Sequence, residues 1–200
     1  LGARRTFAAA GARLVGAPVD DEGIVLDAVD DAMLSECRLA YVTPSHQFPT
    51  GVVMSLARRL DLLRWAEESG AYIIEDDYDS EFRYSGRAIE ALKSLDRRGR
   101  VLYVGTFSKT LFPSLRIAYL VLPPELVTLF RDAKWLSDYA SPTLEQEALA
   151  SFVASGEFER HTRRARTLYG RSRDALLAAL ADHLGDDARV RDSHAGLHVY

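Results

Sequence analysis

The sequence predicts an α/β fold in which a mainly parallel sheet is covered by helices. Four apolar segments of strand length alternate along the chain with longer segments of helical periodicity. The predicted strands are Arg38–Thr43, Ala71–Asp76, Arg100–Phe107 and Arg116–Leu122. Each is close to continuously apolar, which is typical of strands covered on both faces. A helical segment between the first two makes a βαβ unit, and such units pair their strands in parallel.

The helix of this βαβ unit is predicted at Met54–Ser69. Leu56, Leu60 and Leu63 lie at helical spacing within it. Gly70 follows directly and suits the C-cap, where a left-handed backbone is common.

Two further helices are predicted after the last strand. Pro123 ends that strand, and Pro124 can open a helix that runs toward Trp135. For the next helix, Ser141 suits the N-cap and Pro142 the first helical position.

A long helix is predicted at Glu157–Leu184. Its arginines are Arg160, Arg163, Arg164, Arg166, Arg171 and Arg173. A nucleic-acid surface is one interpretation of these charges. Apolar residues such as Leu168 and Leu176 are interleaved with them, which favours the solvated face of a connecting helix. The net charge of −4 likewise gives no reason to expect nucleic-acid binding.

The composition, with 48% hydrophobic and 27% charged residues, is that of an ordinary soluble globular chain. No run of 18 apolar residues and no signal-peptide pattern is present, so we expect no membrane partner. The single cysteine, Cys37, excludes an internal disulfide and suits a reducing compartment, so we expect a cytoplasmic location.

The two ends suggest a piece of a longer protein. The chain begins at Leu1 in a helix-like stretch and stops at Tyr200 in a strand-like run. We expect a large domain over residues 1–155 that is incomplete at its N-terminus. Residues 156–200 would then form a connecting helix and the truncated start of a smaller domain, with its first strands at Arg189–Tyr200.

Three polar segments follow predicted strands, at the edge where doubly wound sheets bind ligands. The first is Thr43–Gly51, in which two prolines and a glycine fix a tight, extended loop. Taken alone, this loop is equally well explained as a turn.

The second polar segment, Ile73–Glu81, combines several carboxylates with Tyr78. Carboxylate oxygens suit Mg²⁺ or Ca²⁺, although the glycine and ligand spacing of a Ca²⁺ loop is absent. A strand-end carboxylate can also pair with the protonated pyridine nitrogen of pyridoxal 5′-phosphate (PLP). This segment alone does not decide between the two.

The third polar segment contains Thr106, Ser108 and Lys109, with Arg116 seven residues after the lysine. A lysine beside small hydroxyl residues can form an imine with an aldehyde cofactor. The hydroxyls and the arginine can hold a phosphate, the arginine in bidentate fashion. A lone lysine is usually a solvated surface amine. The three segments together, however, suit one ligand with a phosphate, an aldehyde and a ring nitrogen, which favours PLP over a metal ion.

The block Ser108–Arg116, S-K-x-x-x-P-x-x-R, is the mark of class I/II aminotransferases of fold type I, and residues 38–123 resemble their large domain. The segments Thr43–Gly51, Glu75–Tyr84 and Gly105–Pro113 more closely resemble the MocR-type branch of the GntR family. Those regulators join a winged helix-turn-helix to an aminotransferase-like effector domain. The resemblance implies a domain that binds PLP and an amino-group ligand, and a homodimer. It also implies that DNA is bound only through a winged helix-turn-helix outside this chain.

The resemblance also assigns roles by motif position. Lys109 is the Schiff-base lysine and the catalytic residue, and Asp76 pairs with the pyridine nitrogen. Tyr78 hydrogen-bonds the phenolic oxygen, and Ser108 and Arg116 bind the phosphate together with Thr106. No metal ligands are implied.

Phe48 departs from the aminotransferase pattern, which has asparagine at this position of N-P-T-G. The change removes a hydrogen-bond donor beside the ring and agrees with the regulator branch. An effector-sensing domain and an active aminotransferase that transfers an amino group to a 2-oxo acid remain as alternatives. The ring-stacking aromatic and the arginine for a substrate carboxylate are expected outside this chain.

Overall fold

The computed structural model describes residues 2–86, 89–187, 190 and 194–200. The strands are β1 (Val19–Asp20), β2 (Gly23–Ile24), β3 (Leu39–Val42), β4 (Tyr72–Asp77), β5 (Val101–Thr106) and β6 (Ala118–Val121). The helices are α1 (Gly2–Ala9), α2 (Asp31–Glu36), α3 (Leu56–Ser69), α4 (Leu92–Leu95), α5 (Pro124–Asp138), α6 (Thr143–Ala154) and α7 (Glu157–Leu184). All four strands and the helices predicted from the sequence are therefore present, with ends shifted by a few residues.

The main sheet has the strand order β3-β4-β5-β6. β3, β4 and β5 are parallel, which confirms the βαβ prediction, and β6 pairs antiparallel with β5. Every residue of β6 is exposed, and so are Leu39 and Tyr41 of β3, so the prediction that all four strands are covered on both faces is wrong for both edge strands. β1 and β2 form a separate antiparallel pair.

α3 begins two residues later than predicted. Ser55 is its N-cap, and its side chain accepts a hydrogen bond from the Arg58 backbone N–H at 3.2 Å. Met54 stays outside the helix because its N–H donates to the carbonyl of Pro44 at 2.9 Å. Gly70 ends the helix at φ 69°, as predicted.

The hydrophobic core lies between α3, α4 and one face of the sheet. Its buried side chains are Val42, Met54, Leu62, Leu63, Ala66, Ile73, Leu92 and Val101. This core holds the carboxyl end of β3 at Val42 and the amino-terminal ends of β4 and β5 at Ile73 and Val101.

The cap predicted for α6 is wrong by one residue. Pro142, not Ser141, occupies the N-cap, with an extended backbone at φ −66° and ψ 99°. The helix therefore begins at Thr143. Proline has no side-chain acceptor, and no side chain caps this end.

α7 has the predicted bounds, and one side of it packs on the segments after β4 and β5. Phe158 meets Phe107 with ring centroids 5.6 Å apart, and Tyr169 meets Phe82 at 5.2 Å. The arginines of α7 therefore lie on a helix that also contacts the segments following β4 and β5.

The final segment pairs with the chain that follows β4. Gly196 N–H donates to Phe82 O at 2.7 Å, and Tyr84 N–H to His194 O at 2.9 Å. These contacts make only an isolated bridge, Arg83 with Ala195, so no strand forms over 194–200. The remainder of the strand region predicted at Arg189–Tyr200 lies outside the described residues, except Val190.

The boundary between residues 1–155 and 156–200 stays a prediction. No helix within the described ranges is long and apolar enough to cross a membrane.

Candidate functional site

The sheet register brings the three polar segments to one edge. Val42 at the end of β3 lies opposite Glu75, and Asp77 at the end of β4 lies opposite Gly105. Because these strands are parallel, the chain leaves all three in the same direction. The predicted convergence of the three segments is thus present in the fold.

The segment after β5 is the start of a β5–β6 connection. Phe107 N–H donates to Ile117 O at 3.0 Å, which closes this connection and holds its two ends together. Ser108 N–H donates to Thr106 Oγ1 at 3.1 Å. Lys109 is exposed at the start of the connection, and Arg116 is exposed at its end.

Arg116 has a left-handed backbone, with φ 53° and ψ 30°. Among the described residues the other non-glycine with positive φ is Tyr139. A non-glycine residue in this region costs roughly 1–2 kcal/mol, and such strain is concentrated at functional sites. The backbone therefore singles out the arginine that the motif assigns to phosphate.

Asp76 is half-buried and is bonded across to the neighbouring strand. Tyr41 of β3 donates its hydroxyl to Asp76 Oδ2. Burial raises the pKa of the Asp76 carboxyl, and the hydrogen bond from Tyr41 opposes that rise. A cavity of about 750 Å³ opens beside these two residues, lined also by Thr43, Gln47 and Phe48.

The other carboxylates of the second segment point to separate partners. Glu75 is fully buried and accepts from the backbone N–H groups of Leu92 and Lys93, both at 2.8 Å. Asp77 accepts from the hydroxyl of Tyr103 at 2.7 Å. Within the described part of the chain no group of three or more His, Cys, Asp or Glu side chains could hold a metal ion.

Tyr78 lies just past β4 and is tied to the first segment. Its hydroxyl donates to His46 O at 2.8 Å and lies 3.4 Å from His46 Nδ1. His46 Nδ1 in turn lies 3.1 Å from Asp79 Oδ2. Both His46 and Asp79 are buried, with 1% of each residue exposed.

Aromatic rings surround this hydrogen-bonded group. His198 lies about equally far from the rings of His46, Tyr78 and Tyr200, at 6.1, 6.1 and 5.9 Å. Phe48 meets the same His198 ring edge-on at 6.0 Å. Burial lowers the pKa of His198, and the negative charge of Asp79 opposes that fall.

A buried arginine holds the first segment in place. Arg59 of α3 is 1% exposed and donates to the carbonyls of Pro44 at 2.8 Å, Met54 at 3.1 Å and Glu90 at 3.2 Å. Burial lowers its pKa, while the charge of Glu75 opposes that effect. Arg59 thereby fixes both ends of the loop that carries His46 and Phe48.

Sequence reasoning missed Tyr41, His46, Arg59 and Asp79 as members of the site. Arg59 had a usable signal, because it lies on the same helical face as Leu62, Leu63 and Ala66 and must therefore be buried. For the other three, the partner is distant in sequence and no local pattern marks it.

The sequence profile of the aminotransferase class I and II family matches residues 4–200. The chain belongs to this family. A similar fold is found in the α-aminoadipate aminotransferase LysN of Thermus thermophilus, crystallised with N-(5'-phosphopyridoxyl)-L-leucine. That structure has a TM-score of 0.87 and 32% identity, over 98% of this chain and 51% of LysN. The predicted fold type I architecture is confirmed by this likeness.

Two curated relatives of this aminotransferase-family chain are regulators. The "Uncharacterized HTH-type transcriptional regulator YdeL" of Bacillus subtilis (strain 168) is 43% identical over 98% of this chain and 42% of its own length. The "Probable rhizopine catabolism regulatory protein MocR" of Rhizobium meliloti is 42% identical over 100% of this chain and 40% of its own length. The resemblance to MocR-type regulators is confirmed, and the chain spans about two-fifths of each relative.

Proposed function

We propose that this chain is the amine-sensing domain of a MocR-type transcription regulator. In this proposal Lys109 holds PLP as a Schiff base, and the amino group of a small ligand displaces the lysine. The observation that carries the proposal is the sheet register, which sets Asp76 on β4 beside β5 and the Lys109 segment that follows it.

The donor set at this edge fits PLP. The cofactor supplies an aldehyde that condenses with amines and a ring that accepts electrons. Asp76 offers a carboxylate for a protonated ring nitrogen, and Tyr41 favours its ionised form. Arg116 offers a planar cation for the phosphate, together with the hydroxyls of Thr106 and Ser108.

Lys109 has two roles in this proposal. Its amine first binds the cofactor, and once displaced it is free to accept or donate a proton at the ligand's amino-bearing carbon. A sensor needs only the displacement, provided that the ligand-bound and lysine-bound states differ in their DNA affinity. The DNA-binding element itself would lie in the part of the protein outside this chain.

The full-length protein tests cofactor attachment. We expect the purified protein to absorb near the edge of the visible range as an imine and to lose that band in Lys109→Ala. Lys134→Ala is the matched control, because Lys134 is an exposed lysine on α5 that pairs with Asp138. A Lys109→Ala variant that still carries a covalently attached, borohydride-reducible cofactor would contradict the assignment.

The sensing role is tested by DNA binding. We expect an amine that shifts the imine band to shift the affinity of the full-length protein for its operator DNA as well. Equal DNA affinity with and without such an amine would contradict the sensing role and leave cofactor attachment standing.

An active aminotransferase is the second candidate, since Lys109 and Asp76 are both retained. An identity of 32% over 92% of this chain links it to the "Aromatic-amino-acid aminotransferase 1" of Thermococcus litoralis. Incubation with an amino acid and a 2-oxo acid separates the two functions. Repeated cycling of the cofactor to its pyridoxamine form would establish turnover, whereas imine exchange without cycling is the result expected of a sensor.

We also propose that the protein is a homodimer. α5 and α6 contain no buried residues, and Leu136, Tyr139 and Leu144 are 71%, 75% and 79% exposed. Large apolar side chains concentrated in this way are typical of an interface. Sedimentation of the full-length protein should give a dimer, and Leu136→Asp together with Leu144→Asp should give a monomer.

A further inference from the structure

His46 and Asp79 form a buried polar pair beside the proposed cofactor site. Their side chains are each 1% exposed, and Nδ1 and Oδ2 are 3.1 Å apart. A buried carboxylate is costly unless hydrogen bonds from the protein satisfy it. The donors to Asp79 Oδ2 therefore fix its position, since Oδ1 is buried and no described group hydrogen-bonds it.

The same Asp79 oxygen binds the end of the chain. Leu197 N–H donates to Asp79 Oδ2 at 3.0 Å. Gly196 lies so close to the pair that an added Cβ would be 2.1 Å from His46 Nδ1 and 2.7 Å from Asp79 Oδ2. Its φ of 78° also disfavours a side chain, so glycine lets residues 194–197 lie directly on the pair.

On its other side the pair contacts Tyr78. The Tyr78 hydroxyl donates to the carbonyl of His46 and lies near Nδ1 of the same residue. Tyr78 also precedes Asp79 directly in sequence. Any displacement of the pair therefore moves the Tyr78 hydroxyl and the Gly196–Leu197 backbone together.

The imidazole of His46 has one tautomer that suits these contacts. Nδ1 faces a carboxylate oxygen and so bears the proton, which it donates to Asp79. Nε2 is buried, and no described group hydrogen-bonds it. With no proton on Nε2, the unpaired atom is an acceptor and not an N–H group. Buried N–H groups without a partner are rarer in proteins than buried acceptors without one.

We propose that His46 and Asp79 are positioning residues that couple residues 194–200 to Tyr78 in the cofactor site. Docking of the final segment and amine exchange at Lys109 then depend on one another. The coupling rests on the proposed function, together with the assignment of Tyr78 by motif position to the phenolic oxygen of the cofactor.

Asp79→Asn in the full-length protein tests the coupling by two measurements. The amide keeps the shape of the carboxylate but loses its charge. Hydrogen exchange at the Gly196 and Leu197 amides should accelerate about tenfold, the size expected for losing a hydrogen bond to a charged group. A methylamine titration of the imine band should shift its midpoint about fivefold, at the lower end of typical coupling between sites.

Asp61→Asn is the matched control, because Asp61 is an exposed carboxylate on α3 paired with Arg64. It should change neither measurement. Unchanged exchange at Gly196 and Leu197 in Asp79→Asn overturns the proposal. Altered exchange with an unaltered titration also overturns it, because Asp79 would then be structural only. A parent protein without an imine band overturns the proposed function and this coupling with it.

The unmodified protein gives an independent test should Asp79→Asn fail to fold. Nitrogen NMR of histidine-labelled protein should show His46 protonated on Nδ1. Methylamine at saturation should also change the rate of hydrogen exchange at Gly196 and Leu197 by about fivefold. The expected factor equals that of the titration midpoint, because a coupling free energy between two binding equilibria acts equally in both directions. A proton on Nε2 with bare Nδ1, or exchange that does not respond to the amine, overturns the proposal.

Discussion

Tyr41 donates a hydrogen bond from its hydroxyl to Asp76 across the β3–β4 pairing. The carboxylate that we propose to pair with the ring nitrogen therefore already accepts one hydrogen bond from within the protein. Burial raises the pKa of Asp76, and this bond opposes the rise. The bond therefore favours the ionised carboxylate that a protonated ring nitrogen requires. The tyrosine lies 35 residues before the aspartate, and only the sheet brings them together.

Tyr41→Phe should weaken retention of PLP by the full-length protein. Without the hydroxyl the pKa of Asp76 rises further, and the carboxylate that faces the ring nitrogen loses a donor that stabilises its charge. Loss of a hydrogen bond to a charged group predicts about tenfold weaker retention, measured by dialysis and the imine band. Tyr72→Phe is the control, because Tyr72 contacts Arg100 through its ring, which phenylalanine keeps. Equal retention by the two variants would contradict a role for Tyr41.

The elements of this fold were predictable where the signal is local. The bounds of α7 follow from its helical periodicity and its acidic first turn. The role of Gly70 as the C-cap follows from its position directly after α3. The antiparallel direction of β6 was missed, although residues 108–115 between the two predicted strands are too few for the crossover that a parallel strand needs. The cap of α6 was misplaced because serine is a better N-cap than proline in general, while the local backbone decided otherwise.

The candidate site divides in the same way. Lys109, Asp76 and Arg116 lie in contiguous motifs, so their types and spacing pointed to them. His46 and Asp79 lie in two of those motifs as well, but their roles depend on contact with Gly196, more than a hundred residues further on. Such contacts are set by burial and backbone approach, which the spacing of residues in a sequence does not encode.

Alkaline pH should destabilise the protein cooperatively. The pKa values of six tyrosine hydroxyls are raised above the ordinary 10.0, with burial as the largest cause for each: Tyr41, Tyr78, Tyr84, Tyr103, Tyr119 and Tyr200. The folded state holds protons that the unfolded chain releases, so this stability is complete below pH 10 and is lost as the pH rises further. Phenolate absorbance and helical circular dichroism should therefore change over one narrow pH range.

Tyr103→Phe should make that alkaline loss of stability less steep, because it removes one of the six groups. Its own hydroxyl donates to Asp77, so the variant should also lose some stability at neutral pH. If all the tyrosines titrate gradually while the helices remain intact, burial is not what raises the pKa values of their hydroxyls.

Arg59→Met should destabilise the protein by about 3 kcal/mol, because three carbonyls lose a charged donor in the interior and Glu75 loses its nearest cation. Urea unfolding measures the change. Arg64→Met, at an exposed position on the same helix, should change stability by less than about 0.5 kcal/mol. Similar costs for the two variants would mean that Arg59 does not hold the loop.

Gly105→Ala should cost about 1–3 kcal/mol by overpacking, since an added Cβ would lie 2.2 Å from Tyr119 Cζ on the neighbouring strand. Either the end of β5 just before Thr106 or the ring of Tyr119 must then move.

Tyr119→Ala removes the obstructing ring, so Gly105→Ala should cost at least about 1 kcal/mol less in that background, as residues in contact commonly couple by this amount. Gly170→Ala in α7 is the control, because its Cβ would meet Tyr84 at an ordinary 3.4 Å and alanine favours a helix. Urea unfolding of the four proteins of the cycle measures the coupling. If Gly105→Ala costs the same with and without the Tyr119 ring, the close approach of β6 to the end of β5 is not what requires glycine there.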